Sequence, residues 1–256
     1  MGWVDSPASR RYINNQTVSN LMPLSPPLCT RPSAATTKRE RRKDARPGEL
    51  LAAALDLFVE KGFAATRVEE VARRAGVSKG TLFLYFASKE ELFKAVVREN
   101  ISGRFPAWHA EFEAFTGSTA DLLRSFMALW WTRLGSTKAC GITKLMLSEA
   151  DNFPELAAFY QHEVMQPAHR LIRRILQRGV ERGEFAPLDL TYGVHTVLAP
   201  MIFLQFMLHC KIACLEDAQA AQLVPEEFLA AQVNTLLNGL CARPAGSPTD
   251  KGLRTL

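Results

Sequence analysis

The chain contains no C-x-x-C pair, no G-x-x-x-x-G-K-[ST] loop, no G-x-G-x-x-G turn and no H-E-x-x-H pair. The common signatures of thiol-redox, phosphate-loop, dinucleotide and zinc-protease chemistry are therefore missing. Long hydrophobic runs are also missing. The longest, 197–204, is broken by Pro200 and falls well short of the roughly 18 residues of a membrane span. Pro7, Arg10, Arg11 and Asn14 interrupt any apolar stretch near the start, so no secretory signal is expected. Cysteine is scarce and odd in number: Cys29, Cys140, Cys210, Cys214 and Cys241. That excludes a disulfide scaffold and predicts reduced thiols in a cytoplasmic protein. Strand alternation bounded by hairpin turns is absent, as is any internal repeat. What remains, with 47% apolar and 22% charged residues, is an ordinary globular composition.

The net charge of +5 hides an asymmetry. Residues 1–104 hold 18 basic and 11 acidic side chains, whereas 105–256 hold 13 and 15. A basic front half predicts a polyanionic partner for that half alone. The densest run is Lys38, Arg39, Arg41, Arg42, Lys43 and Arg46. Such a run is either a solvated linker or an arm that follows phosphates. Its place directly before the first strongly helical segment favours the arm.

Residues 1–43 are rich in Pro, Ser, Thr and Asn and predict a disordered basic tail, and 244–256 predict a second disordered tail. Everything between reads as helix. Over 46–61, Leu51, Leu55 and Phe58 fall at i, i+4 and i+7, and Gly62 is the expected stop. Val68, Val71, Ala72 and Ala75 form the next apolar face, with Thr66 and Glu69 spaced as a capping box. Ser78 suits the N-cap of a short helix reaching Phe86. Ser88 with Glu91 opens a fourth helix toward Gly103.

Two short helices joined at Gly76-Val77 make a helix-turn-helix, whose second helix enters the major groove. Leu82 and Phe86 anchor that helix, while Lys79, Gly80, Thr81, Phe83 and Leu84 look outward. Phe83 and Leu84 suit thymine methyls or sugar edges. Gly80 admits a close backbone approach, and Tyr85 and Lys89 lie where phosphates would be. The stretch RVEEVARRAGVSKGTLFLYFASKEELF resembles the N-terminal domain of TetR/AcrR-family regulators. The resemblance covers 44–104 well, and the rest only as a helical segment of suitable length. It implies a recognition helix over 79–86, base contacts near Lys79, Gly80 and Phe83, and phosphate contacts from Thr81, Tyr85 and Lys89. Phe83 stands where Tyr is common. Arg67 stands where Ser or Thr often caps, which moves that role to Thr66. The DNA-binding set is thus Thr66, Arg67, Ser78, Lys79, Gly80, Thr81, Phe83, Leu84, Tyr85 and Lys89.

Residues 76–80 also match G-x-S-x-G, the hydrolase nucleophile elbow. That motif needs a strand before its serine, and EEVARRA before Ser78 is helical. Ser78 reads better as a cap, and no catalytic residue is expected. His209, Cys210 and Cys214 cluster, but buried apolar packing explains the two cysteines better than a metal does. No metal or cofactor is expected.

In 105–243, helices are predicted over 119–136, 142–150, 154–182 with a kink at Pro167, 189–213, and 225–240. The fourth and fifth of these are apolar on nearly all sides and suit a four-helix dimer interface. Phe126, Trp130, Met146, Tyr160, His195 and Phe203 could enclose an apolar pocket. The expectation is an all-α homodimer: a helix-turn-helix domain over 44–104, then a ligand-binding and dimerisation domain over 105–243. Its partners would be double-stranded operator DNA and an unidentified, apolar small-molecule effector, with no membrane. A ligand-responsive repressor is what the resemblance implies. A dimeric DNA-binding protein without an effector is the rival.

Overall fold

The computed structural model describes the backbone of residues 38–209 and 224–240, and side chains over 47–208 and 224–239. The chain divides into Met1–Arg41 and Arg42–Leu256. Apart from the first residues of α1, all that follows belongs to the second unit. Cys29, His209, Cys210, Cys214, Cys241 and the 244–256 tail lie outside the residues whose side chains are described.

The described residues form α-helices joined by turns, with no β-strand among them. α1 (Lys38–Lys61) begins eight residues before the predicted start and continues through Pro47. Lys, Arg and Glu favour helix without any apolar stripe, and the stripe was the only signal read. Residues 38–43, expected in a disordered tail, are therefore helical. α2 (Val68–Arg74), α3 (Lys79–Phe83) and α4 (Lys89–Asn100) follow. Leu50, Ala54, Leu57 and Phe58 of α1 are buried with Val71, Ala72, Leu82, Leu92, Phe93, Val96 and Val97. The rings of Phe58, Phe63 and Phe93 form the centre of this cluster, with centroids 5.3 to 5.6 Å apart.

α5 (Phe105–Ala114) was not anticipated. Phe105, Trp108 and Phe112 carry a helical spacing that was overlooked, and the first two are buried. α6 (Thr119–Trp130) ends in a wide turn at Trp131–Gly135, and α7 (Gly141–Glu149) is short. α8 (Pro154–Tyr160) runs through a second wide turn, Gln161–Met165, into α9 (Gln166–Glu181). The predicted kink at Pro167 takes this form. Proline lacks an N–H and its ring crowds the carbonyl four residues back, so the ladder widens just before it.

α10 (Leu190–His209) passes through Pro200, and α11 (Pro225–Leu240) closes the described chain. By length and composition Leu190–Leu208 could cross a membrane, although Pro200 interrupts its apolar run. Its residues Val194, Val197, Leu198, Met201 and Leu204 are buried, and α10 packs on α7, α9 and α11. One face of α10 is thus a core face, while Tyr192, Phe203, Phe206 and Leu208 on the other side are exposed.

Candidate nucleic-acid interface

α2 and α3 meet at Gly76, whose φ of +67° suits glycine. Val77 N–H then donates to Ala72 O (2.9 Å) and closes the corner. Ser78 caps α3: its Oγ accepts from Thr81 N–H (3.1 Å) and sits 2.9 Å from Thr81 Oγ1. This use of Ser78, with α2 before it, gives none of the strand–turn geometry of a nucleophile elbow. Leu82 is fully buried and fixes α3 to the bundle, with Phe86 half-buried beside it. On the other side Phe83 is 41% and Leu84 83% exposed, next to exposed Lys79 and Gly80. Thr81 and Tyr85 are half-buried at the edge.

Salt bridges brace α2. Arg74 makes a two-pronged bond to Glu60 (2.8 and 2.9 Å), and Lys61 pairs with Glu70 (3.0 Å). Lys79 Nζ lies 2.6 Å from Glu69 Oε1 and over the Phe83 ring, 5.7 Å from its centroid. The hydrogen bond from Lys79 holds the Glu69 carboxyl below its ordinary range.

Two expected roles need correction. Thr66 does not cap α2: its side chain is buried, and its hydroxyl is directed to Gly62 O (2.7 Å) and Leu57 O (3.1 Å). Exposed Arg67 takes the N-cap position without a side-chain bond. The reason is that the turn after α1 folds back onto it and draws Thr66 inward. Lys89 does not reach outward either. Its Nζ donates to Phe63 O (2.9 Å), Ala64 O (3.3 Å) and Thr66 O (3.1 Å), and lies 4.4 Å from the Phe63 ring centroid. The Ser88 cap at α4 does form, accepting from Glu91 N–H (3.1 Å).

In the remaining helices, Phe126, Trp130 and Tyr160 line one cavity of about 60 Å³, together with Trp108, Thr143 and Gln205. Tyr160 Oη bonds Thr143 Oγ1 (2.9 Å), and burial pushes the phenol up to about 12. Met146 is buried but lies outside that lining. His195 and Phe203 are exposed on α10, because the inward face of that helix is taken by Val194, Leu198 and Met201. The His195 ring packs instead against His169, 5.1 Å between centroids. A neighbouring cavity of about 50 Å³ shares Trp108, Phe126 and Trp130 with the first. Reading residue by residue also missed Glu149, which reaches the turn after α1. An acidic residue closing a helix, against the macrodipole, was the available signal.

The model described as "Bacterial regulatory proteins, tetR family" matches residues 50–96, and "Tetracyclin repressor-like, C-terminal domain" matches 114–226. The first spans the helix-turn-helix and the second most of the remaining helices. The chain belongs to the TetR family. Among its relatives, the HTH-type transcriptional regulator RutR of Escherichia coli K12 is 44% identical over 87 residues, 34% of this chain. The match spans only 39% of RutR's own length. The HTH-type transcriptional repressor KstR2 of Mycobacterium tuberculosis H37Rv is 28% identical over 58% of this chain and 75% of that protein. A solved structure of the regulator FadR from Bacillus subtilis in complex with stearoyl-CoA has a TM-score of 0.55 at 18% identity, covering 75% of this chain and 95% of that one. At that identity the TetR fold is what the two share.

Proposed function

We propose that this TetR-family chain is a cytoplasmic, ligand-responsive repressor that binds a palindromic operator as a homodimer. One observation carries the DNA-binding part. Phe83 and Leu84 are exposed on a helix firmly anchored by Leu82, beside Lys79 and Gly80. Large apolar side chains held in water on a rigid helix suit base methyls and sugars. Lys79 and the backbone at Gly80 read base edges. Ser78, Thr81, Tyr85 and Arg67 contact phosphates around them. Thr66 and Lys89 act indirectly, by fixing the turn before α2. The division is 44–104 for DNA and 105–243 for dimerisation and effector.

Dimerisation uses α10 and α11. Phe203 and Leu208 are 50% and 44% exposed on α10, with Phe206 between them also exposed. A two-fold partner on this face would cover them and set two recognition helices at half-sites about 34 Å apart.

The effector is an elongated apolar molecule held between α5, α6, α7 and α10. Phe126 and the two tryptophans stand between the two small cavities, and turning Phe126 would join them. The acyl chain of the FadR complex has that shape. Cavities of about 60 and 50 Å³ hold only a few waters, so this site fills only if Phe126 moves, whereas an open groove between α6 and α11 offers about 400 Å³. The second reading is a dimer without an effector. By linkage, effector and operator weaken each other. The test is fluorescence anisotropy with a duplex selected from a random library against random duplex, over a salt series. Selective binding with a two-half-site footprint, relieved by fatty acyl-CoA probes, supports the reading. Unselective, purely salt-driven binding would overturn it. Selective binding indifferent to any acyl probe would leave the effector-free dimer.

A further inference from the structure

The turn between α1 and α2 is held by two groups from outside the helix-turn-helix. Glu149, the last residue of α7, accepts from two successive amides: Phe63 N–H at Oε1 (2.9 Å) and Ala64 N–H at Oε2 (3.0 Å). Lys89, at the start of α4, takes the carbonyls of Phe63, Ala64 and Thr66. The anion meets the amides and the cation meets the carbonyls of one short turn. Gly62 suits this turn. Its φ is +85°, and a Cβ would collide with Glu149 Oε1. Phe63 also packs on Phe153, just after α7, with ring centroids 4.7 Å apart.

α7 meets α1 at its start and the turn after α1 at its end. Lys138, before its start, bonds Asp56 (2.6 Å). A Cβ on Gly141 would come within 2.6 Å of Val59 Cγ1. In its first turn, α7 presents Thr143 to Tyr160 in the cavity wall. One short helix therefore lies between the cavity and the turn that feeds the recognition unit. A carboxylate at its C-terminus opposes the helix dipole, so α7's own stability does not account for Glu149.

We propose that Glu149 is a positioning residue for DNA recognition. Its carboxylate fixes the α1–α2 turn, and α7 carries changes at the cavity wall to the recognition helix, alongside α4. The proposal rests on the regulator reading above. Occupancy that displaces Tyr160 and Thr143 shifts α7, loosens the carboxylate from the two amides and frees the unit to leave its DNA-matched orientation.

The test uses the full chain and needs no effector. In Glu149→Gln an NH₂ group faces one of the two N–H donors and the charge is gone. Hydrogen exchange at Phe63 and Ala64 should become about tenfold faster, the loss of a charge-assisted bond. Affinity for a duplex selected by the wild type should fall about fivefold or more, while affinity for random duplex at the same salt stays unchanged, because no phosphate-facing charge is altered. Glu155→Gln, exposed on α8, is the control and should change neither. A lesion that merely unfolded the protein would lower both affinities together. Tyr160→Phe, which removes the bond to Thr143, should also speed exchange at the same two amides, by about twofold or more. Unchanged exchange in Glu149→Gln, or equal losses on both duplexes, would overturn the positioning role. Unchanged exchange in Tyr160→Phe would overturn transmission through α7. A wild-type protein without DNA selectivity would instead remove the regulator reading, and this proposal with it.

Discussion

Lys79 and Lys89 carry the same charge ten residues apart, yet their surroundings give them different work. Lys79 is exposed, paired with an equally exposed Glu69 and lying over the Phe83 ring. Such a pair contributes little to stability and exchanges readily for a phosphate or a guanine edge. Lys79→Ala should therefore lower affinity for the selected duplex more than for random DNA and flatten the salt slope by about one. Equal losses on both would show that Lys79 does not read bases. Glu69→Gln should tighten binding to all duplexes several-fold, because it removes a competitor for Lys79 and a charge that repels phosphate. Lys89 is tied to three carbonyls. Lys89→Ala should leave the salt slope unchanged and cost about 1–3 kcal/mol of stability, read as a lower denaturation midpoint. Burial likewise raises the Cys140 thiol from 9.0 to about 11. A raised folded value means full stabilisation below pH 9, lost as pH climbs toward 11. The denaturation midpoint should fall across that window, and less steeply in Cys140→Ala.

Among the elements, those with an apolar stripe and a polar cap were legible in the sequence. The stripe on α1, the face of α2, the Ser78 and Ser88 caps and Pro225 at the start of α11 all appear where spacing and side-chain chemistry put them. Ser78→Ala should cost about 1 kcal/mol by removing the bond to Thr81 N–H. Thermal unfolding would register it, and no change in ester hydrolysis should accompany it. What failed to show in the sequence depends on contacts between distant residues. The Thr66–Glu69 spacing promised a capping box, but Thr66 is drawn to Gly62 and Leu57 and Glu69 to Lys79. A local motif was outcompeted by partners 4 to 10 positions away. The anchoring of Lys89 and Glu149 on one turn depends on α4 and α7 converging there, which spacing within either helix does not encode. His195 and Phe203 lie outside the expected pocket, and α10 is apolar nearly all round. Such a helix does not say which side faces inward. The recognition helix was legible because its whole pattern lies within a few consecutive turns.

At the scale of the whole molecule, the proposed recognition of a two-fold site rests on the exposed face of α10. Val194, Val197, Met201 and Leu204 are buried on the inner side, while Phe203, Phe206 and Leu208 face outward. Burying one such side chain contributes roughly 1.5–3 kcal/mol, and a symmetric interface counts every residue twice. A charge placed there would have to be desolvated in both copies without a partner. Phe203→Glu should therefore shift the protein to monomer in sedimentation or light scattering, while each subunit stays folded, because Phe203 contributes little to the interior. DNA binding should change in a specific way. A monomer reaches one half-site, so the two-half-site footprint should disappear while the weak, salt-dependent attraction to random duplex persists. Recovery of the footprint when two such subunits are joined by a flexible linker would show that pairing, and not the recognition helix, had been damaged. A Phe203→Glu protein that remained dimeric with an intact footprint would move the interface to another face of the helical body.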